Sequence, residues 1–171
     1  MKLPRTAVTA AAVTAALLTA GAAYAATAGT PTATKTDTIV TTTGIKSLSA
    51  EGGTRTTIIR INLPRGAYVL DASGDLVNFG PSDYTRCQIS VAGTQVAAVS
   101  TLVGDPAASD AQGAAALVAP FALTGGVIVT RANAQAILRC SHDDTNGATP
   151  YVDPNVSLWA HKTSALKTAT Q

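Results

Sequence analysis

Two histidines, two cysteines and ten acids make up most of the stock from which this 171-residue chain could build acid–base, nucleophilic or metal chemistry. A serine hydrolase wants a nucleophile on a strained Gly-x-Ser-x-Gly turn beside a His and an acid, and that motif is absent. Glycoside hydrolysis wants two carboxylates facing each other across a cleft. The sole Glu, Glu51, sits in a Gly-rich segment, and Asp71 and Asp75 flank Ala72-Ser73-Gly74, which reads as a turn interrupting a strand.

The densest polar cluster is Ser141-His142-Asp143-Asp144-Thr145-Asn146-Gly147. Counted from His142, Asp144 falls at position three, Asn146 at five, Gly147 at six and Asp153 at twelve, the spacing of a calcium loop. The fit is loose. A hard cation prefers an acid at the first position, and the last ligand is Asp where Glu is usual. A solvated loop turning at Asn146-Gly147 accounts for the same residues, so no metal is assigned, and nothing in the sequence calls for a cofactor. The last apolar stretch, 156–161, offers a different chemistry. Alternation places Val156, Leu158 and Ala160 on one face and Ser157, Trp159 and His161 on the other. A sheet packed on one side only would expose Trp159, and with Tyr151 nearby this face could stack on a sugar ring or on a partner's side chain. The alternatives are that the Thr-rich arm or the tail covers Trp159, or that Trp159 is core and the phase is off by one residue.

The segment 1–25 opens with Lys2 and Arg5, runs apolar from Ala7 to Ala23 and closes on Ala23-Tyr24-Ala25. This is the pattern of a secretory leader cleaved after Ala25. The run is Ala-rich and broken by Thr9, Thr14 and Thr19, which suits a leader better than a membrane span. Cleavage there removes two of the 12 cations and none of the 10 acids, so the formal charge falls from +2 to zero. A neutral surface with no Lys/Arg run lacks the footprint of nucleic-acid binding and the polybasic patch that anionic lipid attracts.

Export changes the meaning of Cys87 and Cys140, since outside the cytosol a pair of cysteines is expected as a disulfide. Cys87 is in phase with Ile89 and Val91, and Cys140 with Leu138, so both sulfurs point to the apolar side of their strands.

Residues 26–43 are dominated by Thr, Ala, Pro and Gly and read as an arm or linker that supplies a first strand at 38–43 or none; residues 44–171 form one domain. Within it, short alternating runs are punctuated by turns. The run 56–63, turned by Pro64-Arg65-Gly66 into 67–72, reads as a hairpin, and 84–91 and 95–102 around Ala92-Gly93-Thr94 read as a second. Thr124-Gly125-Gly126 separates two further strands, and 104–116 is a loop or an Ala-rich helix. Seven to nine strands with no convincing amphipathic helix predict an all-β fold, an antiparallel β-sandwich, jelly-roll-like or immunoglobulin-like, with one disulfide. The immunoglobulin details fail: Trp159 follows both cysteines, and Leu138 stands where that fold has a Tyr.

The stretches Leu63-Pro64-Arg65-Gly66-Ala67-Tyr68, Cys87-Gln88-Ile89-Ser90-Val91-Ala92-Gly93-Thr94, Ile137-Leu138-Arg139-Cys140-Ser141 and Val156-Ser157-Leu158-Trp159-Ala160 together resemble small exported proteins of actinobacteria. The resemblance covers about residues 54–166. It implies a disulfide-bearing β-sandwich and carries no catalytic residues over. The expectation is a secreted, non-enzymatic binding or structural module of the envelope or medium, with a cell-wall glycan or another secreted protein as candidate partner. The alternatives are a secreted hydrolase or protease inhibitor working through the loop 142–153, and a carbohydrate-binding module working through Trp159.

Overall fold

The computed structural model describes residues 36–106, 117–144 and 148–167. The expected leader with its expected cleavage after Ala25, the first part of the arm, the segment 107–116 and the loop residues Asn146 and Gly147 lie outside the described residues. Ten strands are described: β1 (Thr38–Thr41), β2 (Lys46–Ser47), β3 (Thr56–Leu63), β4 (Gly66–Asn78), β5 (Asp83–Val91), β6 (Thr94–Val103), β7 (Leu117–Val129), β8 (Ala134–His142), β9 (Tyr151–Val152) and β10 (Ser157–Thr163). They form two antiparallel sheets packed face to face, with no helix among the described residues.

The first sheet is built on β4, the longest strand with β7 at 13 residues each. β7 pairs along one edge of β4, while β10 and then β9 pair along the other, with β1 outside β10 and β2 outside β9. The second sheet has the order β3-β8-β5-β6. Period-two alternation explains which side each strand buries. Tyr68, Leu70, Ala72 and Leu76 of β4, Leu158 and Ala160 of β10, and Phe121 and Leu123 of β7 meet Ile59, Ile61, Leu63, Ile89 and Leu138 of the other sheet in one core. Leu70, Leu76, Ile89, Leu138 and Leu158 are wholly excluded from solvent. Each such side chain contributes about 2 kcal/mol by transfer from water.

Cys87 and Cys140 are bonded, and they are register partners on the adjacent central strands β5 and β8. The bridge therefore lies within one sheet, where an immunoglobulin disulfide would join two. Closing a loop of 53 residues stabilises the fold by about 4 kcal/mol in the chain-entropy model. A bonded pair of this kind suits an oxidising compartment.

Three local readings of the sequence are corrected. The expected hairpin at Pro64-Arg65-Gly66 is an arch: β3 pairs with β8 and β4 with β7 and β10, so the chain changes sheets at the turn. The apolar residues of β3 and β4 face each other through the core instead of lying side by side, and the Tyr68 hydroxyl fastens the arch by donating to the Pro64 carbonyl at 3.0 Å. Asp71-Ala72-Ser73-Gly74-Asp75 is continuous strand, because Gly74 leaves room that the Val156 side chain fills: a Cβ there would stand 2.4 Å from Val156 Cγ2. Thr124-Gly125-Gly126 likewise does not break β7. Gly125 lets the β6 backbone close in, with Val96 O 2.7 Å from where a Cβ would be. The hairpin between β5 and β6 stands as read, with Ala92 and Gly93 both at positive φ, as a tight two-residue turn requires. Repeated passage from sheet to sheet is a jelly-roll habit.

Candidate functional site

The Thr-rich arm does supply a strand, and that strand completes the site. β1 pairs with β10 so that Ile39 stands opposite Trp159, and Trp159 stands opposite Asp71 of β4, which in turn stands opposite Thr124 of β7. Four strands thus bring Ile39, Trp159, Asp71 and Thr124 into one row across the outer face of the first sheet. Trp159 is 41% exposed and Ile39 54%. The phase read from the last strand is correct: Leu158 and Ala160 are buried, and Trp159 faces out.

His161 lies next on the same face. Its ring and the Trp159 indole lean together, with centroids 4.4 Å apart and planes tilted by 35°. One carboxylate faces each ring nitrogen: Nδ1 lies 3.1 Å from Asp37 Oδ2, and Nε2 3.5 Å from Asp71 Oδ2. The Thr124 hydroxyl donates to the other Asp71 oxygen at 2.6 Å. Ser73 and Ser157, opposite each other in the next outward row, hold their hydroxyls 3.2 Å apart. The result is an indole face bordered by two partly exposed carboxylates and three hydroxyls. Such a surface can stack on an apolar ring face while accepting and donating hydrogen bonds around its rim.

Tyr151 does not join this group. It pairs with Val77, six residues along β4 from Asp71, a distance of about 20 Å at the rise of a strand. There it stacks against Phe79 at 6.1 Å. Proximity in sequence misplaced it, since β9 and β10 pair with different stretches of β4.

The second histidine is used differently. His142 is 3% exposed; its Nδ1 lies 2.7 Å from Asp83 Oδ2, and its Nε2 donates to the Ser49 carbonyl at 2.6 Å. The other Asp83 oxygen accepts the backbone N–H groups of Asp143 and Asp144, each at 3.1 Å. Arg86 pairs with Asp143 at the rim. Both ring nitrogens of His142 are thus committed within the fold, and the first position of the calcium-loop reading is corrected: this side chain points inward to Asp83. Among the described residues no three His, Cys, Asp or Glu side chains converge as a metal site. The same arrangement removes His142 as a general base for a hydrolase working through this loop. Asp71 and Asp75, both outward on β4 and four residues apart, are separated by about 13 Å along the strand, beyond the spacing of a glycosidase pair.

Of the residues at the outer face, Asp37, Ile39 and Thr124 carry no signal in the sequence, and Asp71 has the surroundings of a turn acid. Their assembly depends on the pairing order β1-β10-β4-β7, which no local pattern encodes.

No family model matches the chain, and no curated protein matches it. Solved structures do match in fold. One, described as the structure of infectious bursal disease virus Gx strain, is 10% identical with a TM-score of 0.43 over 77% of this chain. The match spans 34% of that chain, about a third of its length.

Proposed function

We propose that this is an exported, non-enzymatic binding module that holds a cell-wall glycan on the Trp159 face. The observation that carries the reading is the half-exposed Trp159, set in the middle of a sheet face with His161 held between Asp37 and Asp71 beside it. An aromatic ring costs apolar exposure wherever a sheet face is left to solvent, and stacking on a sugar ring recovers that cost. The flanking carboxylates and hydroxyls supply partners for sugar hydroxyls. The leader at 1–25, the disulfide and the neutral charge that remains without the leader agree with work outside the cell and away from nucleic acid and membrane.

Another secreted protein as partner is the second reading, and Ile39 favours it, because an exposed aliphatic beside Trp159 suits a side chain better than a sugar. The two are separated by titrating the purified protein with solubilised cell-wall polysaccharide and, separately, with secreted protein freed of glycan. Glycan binding lost in Trp159→Ala supports the first reading. Binding only in the protein arm supports the second.

A further inference from the structure

A cleft of about 400 Å³ opens between the sheets at the end of the sandwich where the tip of the β5–β6 hairpin lies near the end of β7. Its origin is local. Edge strands β6 and β7 are not hydrogen-bonded to each other, yet Gly125 lets them close to backbone contact at Val96. Beyond that point each follows its own partner, β6 turning back to β5 and β7 staying with β4 as far as Val129. The gap between them is the cleft.

Its wall is the border of the core itself. Val91 and Val129 belong to the buried cluster, and Val96, Val127 and Ala134 pack against it half-exposed. Arg131 stands at the rim, exposed, and makes no hydrogen bond or ion pair among the described residues. The lining contains no acid. A trough with valines along its inner wall, Thr94 and Thr130 on its lining, and a guanidinium that no described acid neutralises matches a ligand with an aliphatic chain and an anionic head, since Arg recognises carboxylates by paired N–H donors. The volume is at the lower end of the range for small-molecule sites.

We infer that this cleft binds a medium-chain aliphatic carboxylate, with the chain against Val91, Val96, Val127 and Val129 and the head on Arg131. The occupant would complete the core at its open end and so raise the melting temperature with concentration. The inference is independent of the Trp159 face, which lies on the outer side of the first sheet.

The test is a titration of the full mature chain with decanoate, decanol and decyltrimethylammonium, followed by backbone amide NMR. Decanoate should give saturable shifts at Thr94, Val127, Thr130 and Ala134. Arg131→Gln should weaken decanoate by about fivefold, the upper value of one exposed charge pair, and leave decanol unchanged. Val96→Phe should block both by filling the trough. Arg131 is exposed, so its variant folds even if the Val96 variant does not. Equal affinity for the three amphiphiles, an unaffected Arg131→Gln, or shifts spread over other exposed apolar residues such as Leu102 and Val118 would overturn the proposal. So would contacts from the chain's own residues 26–35 to Val127, which would make the arm the occupant.

Discussion

The two histidines of this chain are each set against aspartate, and they are put to opposite uses. His142 is enclosed between the ends of β5 and β8, with Asp83 on one nitrogen and the Ser49 carbonyl on the other. His161 lies on an open sheet face, with Asp37 and Asp71 on its two sides and Trp159 against its ring. In the first place both ring nitrogens and both carboxylate oxygens of the pair are engaged inside the fold, so the pair serves to tie the loop after β8 to the segment before β3. In the second place the same residue types remain available to a ligand. Residue type alone does not distinguish a site from a strut; the difference lies in whether solvent reaches the polar atoms.

That difference can be tested by destroying each pair in turn. His142→Ala leaves the Asp83 oxygen that faces it buried without its partner and should cost about 3 kcal/mol in denaturant unfolding, in the range for a buried polar group left unsatisfied. A loss under 1 kcal/mol would mean that the pair is not structural. Replacing Cys87 and Cys140 together by Ala should cost a similar amount, about 4 kcal/mol, and serves as the internal scale for the first value. His161→Ala, by contrast, removes exposed pairs and should change stability by less than about 1 kcal/mol while weakening glycan retention. Stability losses of equal size at the two histidines would erase the distinction between them.

Thr85, opposite His142 in the register, adds a finer control. Its hydroxyl is buried without a hydrogen-bond partner among the described residues. Thr85→Val should therefore be neutral or stabilising by about 1 kcal/mol by thermal melting. A clear loss would show that the enclosed region holds a polar contact at Thr85 and is wetter than its burial suggests. At the arch, burial pushes the Tyr68 phenol above its ordinary value. The folded state thus favours the neutral hydroxyl, and its contribution is complete below the unfolded value and fades as pH rises through the higher folded one. A Tyr68→Phe chain should lose that alkaline dependence.

How much of this was legible in the sequence follows from the range of each signal. Phase within a strand is local, and so the outward Trp159, the inward Cys87 and Cys140 and the β5–β6 turn at Ala92-Gly93 were all readable. Pairing between strands is not local. Pro64-Arg65-Gly66 has the chemistry of a reversal, but a reversal serves a hairpin and an arch equally, and only the partners of β3 and β4 decide between them. Glycines misled for a related reason: Gly74 and Gly125 look like breaks, while their purpose is to admit Val156 and the β6 backbone. At the site, Asp37 comes from a Thr-rich arm 124 residues away from His161, and nothing near either residue announces the other. Burial of His142 was hidden in the same way, since its partners Ser49 and Asp83 come from distant segments.

The most direct measurement uses the fact that Trp159 is the sole tryptophan of the chain, so its fluorescence reports the proposed face and nothing else. Titration of residues 26–171 with solubilised cell-wall polysaccharide should give a saturable change in emission, weakened in the His161→Ala chain although that chain remains folded. Emission that stays unchanged while the His142→Ala and His161→Ala chains lose stability alike would contradict the account: the exposed pair would then be another strut, and the face would bind no glycan.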